Sequence, residues 1–111
     1  MIEKIILNYL NSKLKVPVVM EEPAVKPTSL VVVQKTGSSR VNYIFSATVA
    51  IQSYGGSLLE AAELNEAVKD AMFGITEVDE VASVRLNSDY NFTDSATKKY
   101  RYQAVFELTH Y

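Results

Sequence analysis

Few residues in this chain are of a type that does chemistry, and their spacing decides how each is read. The sole histidine, His110, stands one residue from the end of the sequence, and there is no cysteine. A metal site needs several ligands, and the chain has no second histidine and no cysteine to join His110. General acid–base work by His110 needs a fixed partner and a pocket, which a fraying terminus does not offer. It reads as a surface residue. Glu77, Asp79 and Glu80 gather carboxylates of the kind that run glycoside chemistry or hold a hard cation. The segment Glu77-Val78-Asp79-Glu80-Val81 lacks the glycine turn and spaced oxygens of a calcium loop. It reads as a solvated linker, or as a contact patch for a basic surface. Lys98-Lys99-Tyr100-Arg101-Tyr102 mixes basic and aromatic residues, as single-strand binders do. Alternate residues of a strand face opposite ways, so both tyrosines fall on the core face while Lys99 and Arg101 point outward. Rings and charges then line no common groove, and sequence-specific nucleic-acid binding is not expected. Gly37-Ser38-Ser39 and Gly55-Gly56-Ser57 resemble anion loops, but no lysine follows and no spaced glycine pattern appears. They read as a turn and a helix cap. The expected catalytic, metal and cofactor sets are empty, and the chain is not expected to be an enzyme.

The elements that carry these residues follow from periodicity. Between residues 2 and 14, Ile2, Ile5, Ile6, Tyr9, Leu10 and Leu14 form a stripe at helical spacing. Val16-Pro17 stops that helix, since the residue before proline avoids the α region. Val18, Val19 and Met20 can make a short edge strand. Glu21 and Glu22 follow, and Pro23 and Pro27 hold the chain extended to about Ser29. The apolar residues of this 16–29 stretch must pack on the domain's own edge or on another chain. The β-branched run from Leu30 to Lys35 predicts a strand, and Thr36-Gly37-Ser38-Ser39 predicts a turn. From Val41 to Tyr54 the chain alternates, with Val41, Tyr43, Phe45, Ala47, Val49 and Ile51 facing one way. That length exceeds a usual strand and predicts a bulge or overhang.

Ser57-Leu58-Leu59-Glu60 has the form of a capping box, and Gly74 suits the left-handed position that ends a helix. A closing hairpin places Ala82, Val84, Leu86, Tyr90 and Phe92 on one face, with a turn at 93–97. Its second strand matches them with Tyr100, Tyr102, Ala104, Phe106 and Leu108. Two registers keep the apolar faces together. One pairs Phe92 with Lys98 and sets Asp89 opposite Arg101; the other, shifted by two, sets Arg85 opposite Glu107. The predicted fold class is α+β, in the order α-β-β-β-α-β-β with a short first edge strand. It is a mainly antiparallel four-stranded sheet with two helices on one face, in a single domain spanning 1–111. The other sheet face stays polar or is buried by another subunit.

Composition narrows the setting. A chain of 111 residues with 48% hydrophobic and 22% charged residues is long enough for one core and too short for two. A net charge of −2 gives no global attraction to nucleic acid. No run reaches the ~18 apolar residues of a membrane span, and the N-terminal pattern is not that of a signal peptide. The chain is expected to be soluble and not exported, without a membrane partner.

The closing stretch, Tyr90-Asn91-Phe92-Thr93-Asp94 followed by Tyr100-Arg101-Tyr102-Gln103-Ala104-Val105-Phe106, resembles the final hairpin of the tail terminator (tail-completion) proteins of long-tailed bacteriophages and prophages. So does the N-terminal helix running into a Val-Pro stretch, and the short helix between strands. The resemblance spans nearly the whole chain and rests on strand and turn patterns. It implies a structural protein that forms a hexameric ring on the head-proximal end of the tail tube, stops tube elongation and presents a surface for the head connector. The implied partners are further copies of the chain, the tail tube protein and the head connector or stopper protein. The implied location is the virion tail, with the host cytoplasm during assembly. It assigns the 16–29 stretch and the hairpin tip at Asp94, Ser95 and Ala96 to neighbouring subunits or tube.

A closed ring needs two different, complementary patches on each subunit. Glu77, Asp79 and Glu80 on one side and Lys98, Lys99 and Arg101 on the other are the expected charged halves. Val18, Val19 and Met20, beside Glu21 and Glu22, are expected to supply the apolar hold. Competing readings are a head-to-tail connector or neck protein, a small ligand-binding or thioesterase-like α+β domain, and an unrelated bacterial adaptor.

Overall fold

The computed structural model describes residues 1–25 and 27–111. Lys26, inside the 16–29 stretch, lies outside them. The elements run α1 (Ile2–Lys13), β1 (Val18–Val19), β2 (Leu30–Val41), β3 (Ile44–Gly55), α2 (Leu58–Phe73), a 3₁₀ turn (Ile75–Glu77), β4 (Val81–Asn91) and β5 (Tyr100–His110). The fold is α+β, with two helices and one mixed five-stranded sheet in the order β1-β2-β3-β5-β4. The fifth strand is β1, which pairs in parallel with β2 through Val18 opposite Val31 and Val19 opposite Val32. All other pairings are antiparallel.

Both helices pack on one sheet face. Ile2, Ile6, Tyr9 and Leu10 of α1 join Val68 and Met72 of α2 over Val31, Val33, Ala47, Val49, Ile51, Ala104, Phe106 and Leu108. Strand residues of one parity supply this core, as alternation requires. The Tyr9 hydroxyl ties the helices together by donating to the Ala71 carbonyl at 2.7 Å. At the start of α2, Ser57 Oγ accepts from the Glu60 amide at 3.2 Å. The reciprocal bond goes one residue further back than a capping box predicts, since Glu60 Oε2 accepts from the Gly56 amide at 2.9 Å. Gly74 corrects another expectation. Its φ of −95° lies outside the left-handed region, because the chain continues into the 3₁₀ turn without reversing. Its lack of a side chain serves contact instead, as a Cβ there would sit 3.0 Å from the Tyr9 hydroxyl.

Two further expectations are corrected. The turn expected at Thr36-Gly37-Ser38-Ser39 is strand, interrupted by a bulge between Lys35 and Gly37. The hairpin reverses instead at Asn42 and Tyr43, where Asn42 takes φ 57°, a conformation asparagine tolerates better than most side chains. The closing hairpin adopts the register with Arg85 opposite Glu107, and not the one with Asp89 opposite Arg101. A second irregularity between Leu86 and Ser88 then reverses the parity of the rest of β4. Val84 and Leu86 face the helices, whereas Tyr90 lies opposite Gln103 on the other face. Asp89 turns towards α2 and pairs with Lys69, which also meets Glu66 at 2.9 Å.

Candidate interaction surfaces

The sheet is longer than the helix layer that covers it, and the molecule measures 44 × 25 × 24 Å. One end carries the β2–β3 turn, Glu80 and the chain terminus, since Phe45 and Val81 both lie opposite His110. The other end carries the β4–β5 loop and the beginning of β2. The expected charged halves therefore sit at opposite ends. Glu77, Asp79 and Glu80 are exposed beside α1, where Glu77 meets Lys13 at 3.0 Å. Lys98 and Lys99 are exposed at the far end, Lys99 lying 4.0 Å from Glu22.

Arg101 is largely committed to its own chain. Its guanidinium donates to the Tyr54 hydroxyl at 2.9 Å and to the Phe92 carbonyl at 2.7 Å, and stacks 4.4 Å from the centre of the Phe92 ring. The parity change in β4 places Tyr90 and Phe92 on this same face, with their rings edge to face. The expected separation of rings from charges holds for Tyr100 and Tyr102 but fails for Tyr90 and Phe92. No periodicity rule locates a bulge, so only the structure reveals this grouping. At the loop itself, Asp94 accepts from the Ala96 amide at 3.1 Å. Bonds from Thr97 and Ala96 hold its carboxyl below the usual carboxylate range. Asp94 shapes the turn, and Ser95 and Ala96 are its exposed tip.

The beginning of the 16–29 stretch turns onto its own domain, while most of its described residues from Met20 on are exposed. Asn11 of α1 clamps β1, accepting from the Val18 amide and donating to the Val18 carbonyl, each at 3.3 Å. Val18 is buried in the main core, and Val19 packs on a second cluster of Leu30, Val32 and Tyr54 on the opposite sheet face. Val18 is therefore no outward apolar hold, whereas half-buried Val19 still lines the hollow beside Met20. Met20 is the exposed member of that trio, next to exposed Glu21 and Glu22. Glu22 accepts from the Tyr54 hydroxyl, so the stretch is strapped across the end of β3. Residues 19–24 line an open hollow of about 690 Å³.

Burial, followed by the bond to Glu22, raises the Tyr54 phenol above its ordinary value, while Arg101 pulls the other way. A phenol held neutral in the folded state stabilises it below the unfolded value near 10, and that contribution is lost as pH rises through the folded value. Denaturant midpoints at pH 8 and pH 11 check this. Wild type should lose more stability between them than Tyr54→Phe does; equal losses would show that the hydroxyl is not held by this network.

A surface that sequence reasoning misses is the end of the β2–β3 hairpin. Val41, Tyr43, Ile44 and Phe45 are 71%, 84%, 45% and 36% exposed. Val41 lies opposite Ile44, and Arg40 opposite Phe45, so the ribbon is apolar on both faces at its tip. Arg40 folds over the Phe45 ring at 5.5 Å, and His110 stacks on the same ring at 5.4 Å. His110 is thus fixed in β5, and Tyr111 is held by a bond from its amide to the Glu80 carbonyl at 3.0 Å, which corrects the expectation of a fraying end. The available signal was Asn42 between apolar neighbours, overshadowed by the stronger turn composition of 36–39.

No group of three or more histidine, cysteine or acidic residues able to hold a metal ion occurs among the described residues. These features define a class: a small α+β domain whose two sheet ends carry apolar and charged side chains outside the helix layer. No protein-family model and no curated protein matches the chain.

Proposed function

We propose that this protein is a ring-forming structural component, a phage tail terminator that caps the tail tube, halts its elongation and offers the head-joining surface. The observation that carries the reading is the apolar hairpin end, where Val41, Tyr43 and Ile44 stand exposed and Phe45 is part-exposed beside the first turn of α1. Exposed apolar clusters of this kind mark protein interaction sites in folded proteins. The strap carrying Met20 and Glu21 adds a second surface at the other end of the sheet. The element order and the closing-hairpin residues that resemble tail terminators support the choice of partners proposed here: copies of the same chain, the tube protein and the head connector.

Binding to preformed tail tubes tests the reading. A terminator binds one complement of copies per tube end, independent of tube length. Met20→Asp, which puts a charge on the exposed strap without touching the core, should fold as wild type does and lose that binding. Copies bound in proportion to tube length, or no binding at all, would remove the terminator function. Unchanged end binding by Met20→Asp would exclude the strap.

A further inference from the structure

A closed ring requires two patches that differ from each other on every subunit. From the structure we infer that they are the β2–β3 hairpin end and the strap, the hairpin end of one copy seating against residues 19–24 of the next. The partner's being a second copy rests on the ring reading; the choice of surfaces rests on geometry and charge.

Three observations converge. The two surfaces lie at opposite ends of the sheet: Val41 pairs with Ile44 at one, while β1 pairs with Val31 and Val32 of β2, near Leu30 and Tyr54, at the other. With extents of 44 × 25 × 24 Å they cannot meet within one subunit, so complementarity between them is satisfied only between copies. A contact between unlike ends is also heterologous, the kind that closes rings or propagates as chains. Their chemistry matches as well. The hairpin from Thr36 to Ser46 has Arg40 as its only charged side chain, set among Val41, Tyr43, Ile44 and Phe45. The strap offers Met20 and Pro23 beside Glu21, while Glu22 is engaged by Tyr54 and Lys99. A cationic, aromatic ribbon against an apolar hollow that carries Glu21 gains orientation and association rate from the Arg40–Glu21 charges and holding energy from the apolar contact. The shape fits too. A ribbon apolar on both faces needs a partner it can enter, and the open hollow of about 690 Å³ along the strap is larger than the one of about 240 Å³ beside Thr28 and Gly55.

The alternative receptor for the hairpin is the acidic groove between α1 and the 77–80 segment, lined by Ile5, Asn8, Ser12, Glu77, Val78 and Glu80. It lies at the same end of the sheet as the hairpin, and Lys13 already meets Glu77 there. It is the weaker match.

The chain has no cysteine, so engineered thiols report contact without background. Equimolar Tyr43→Cys and Met20→Cys chains are mixed under a mild oxidant, and the mixed disulfide dimer is followed on non-reducing gels. Tyr43→Cys with Glu63→Cys, on the exposed side of α2, measures random collision, and Tyr43→Cys with Glu80→Cys measures the acidic groove. The expected result is mixed-dimer formation on the order of tenfold faster for 43 with 20 than for the collision pair, because docking raises the effective concentration of the thiols. Adding Arg40→Glu to the Tyr43→Cys chain should slow it, and adding Glu21→Arg to the Met20→Cys chain should restore it. A rate equal to that of the collision pair overturns the inference, as does faster coupling of 43 with 80. Neither depends on tube binding, so loss of the terminator reading and loss of this interface are separate results.

Discussion

Phe106→Ala is expected to lower the unfolding free energy by about 3–5 kcal/mol, the range for deleting a fully buried aromatic side chain. Phe106 heads the fully buried side chains by volume and has no solvent exposure. It lies on β5, flanked by Val49 of β3 and Leu86 of β4, and the edge of its ring meets Phe73 of α2 at 6.3 Å between centroids. One side chain thus joins three strands to the helix, and its loss leaves a cavity that strands paired on both sides cannot close. A domain of this size commonly has about 5–15 kcal/mol of stability, so the variant should be close to the edge of folding. Urea unfolding checks it: the midpoint should fall with little change in slope. A loss under about 1 kcal/mol would mean that α2 does not pack on the sheet at this point.

Gly55→Ala should be nearly as damaging by a different route. Gly55 ends β3 immediately before the cap of α2, and a Cβ built there lies 2.5 Å from the Ala61 amide nitrogen and 2.9 Å from the Glu60 carbonyl carbon. These are helix backbone atoms with no rotamer to change, so accommodation means moving the first turn of α2 off the sheet. That puts the cost at about 2–3 kcal/mol, the upper part of the range for overpacking. The loss should concentrate at the helix start, where amides of residues 61–64 would exchange faster with solvent. Gly37→Ala is the matched comparison. A Cβ at Gly37 meets nothing within 4 Å and no glycine has positive φ, so that variant should stay within about 1 kcal/mol of wild type. Equal behaviour of the two variants would show that the close approach at Gly55 is not real.

The sequence makes legible what a regular period writes into it. The apolar stripe of α1, the alternation of Ala47, Val49 and Ile51, and the serine cap of α2 all appear where periodicity and capping chemistry place them. Irregular backbone is what escapes. Val18 and Val19 are too few to announce a strand, and their parallel partner depends on the strand that follows a long connection. The bulge beside Asn87 carries no distinctive residue, yet it moves Tyr90 to the opposite face, where Phe92 also stacks on Arg101. The bulge at Thr36 absorbs a segment with strong turn composition and lets the hairpin run on to Asn42.

Those same irregularities decide the candidate surfaces. Met20, Glu21 and Glu22 emerge on the outside as sequence reasoning expects, but Val18 and Val19 are claimed by the domain's own sheet. The misplaced turn assigns Val41, Tyr43 and Phe45 to the core face of one strand. The structure instead puts Val41 on β2 and Tyr43 in the turn, with Phe45 part-exposed at the edge of the helix layer beside the start of α1. Burial in a long strand depends on how far the helices reach, and α1 and α2 together cover only its middle. Strand periodicity has no access to that distance.

Lengths of tail tubes assembled from purified tube subunits, with and without this protein, bear most directly on the proposed role. Sub-stoichiometric protein should shorten the tubes and narrow their length distribution in electron micrographs, with density capping a single end. Tubes of unchanged length at saturating protein would contradict it.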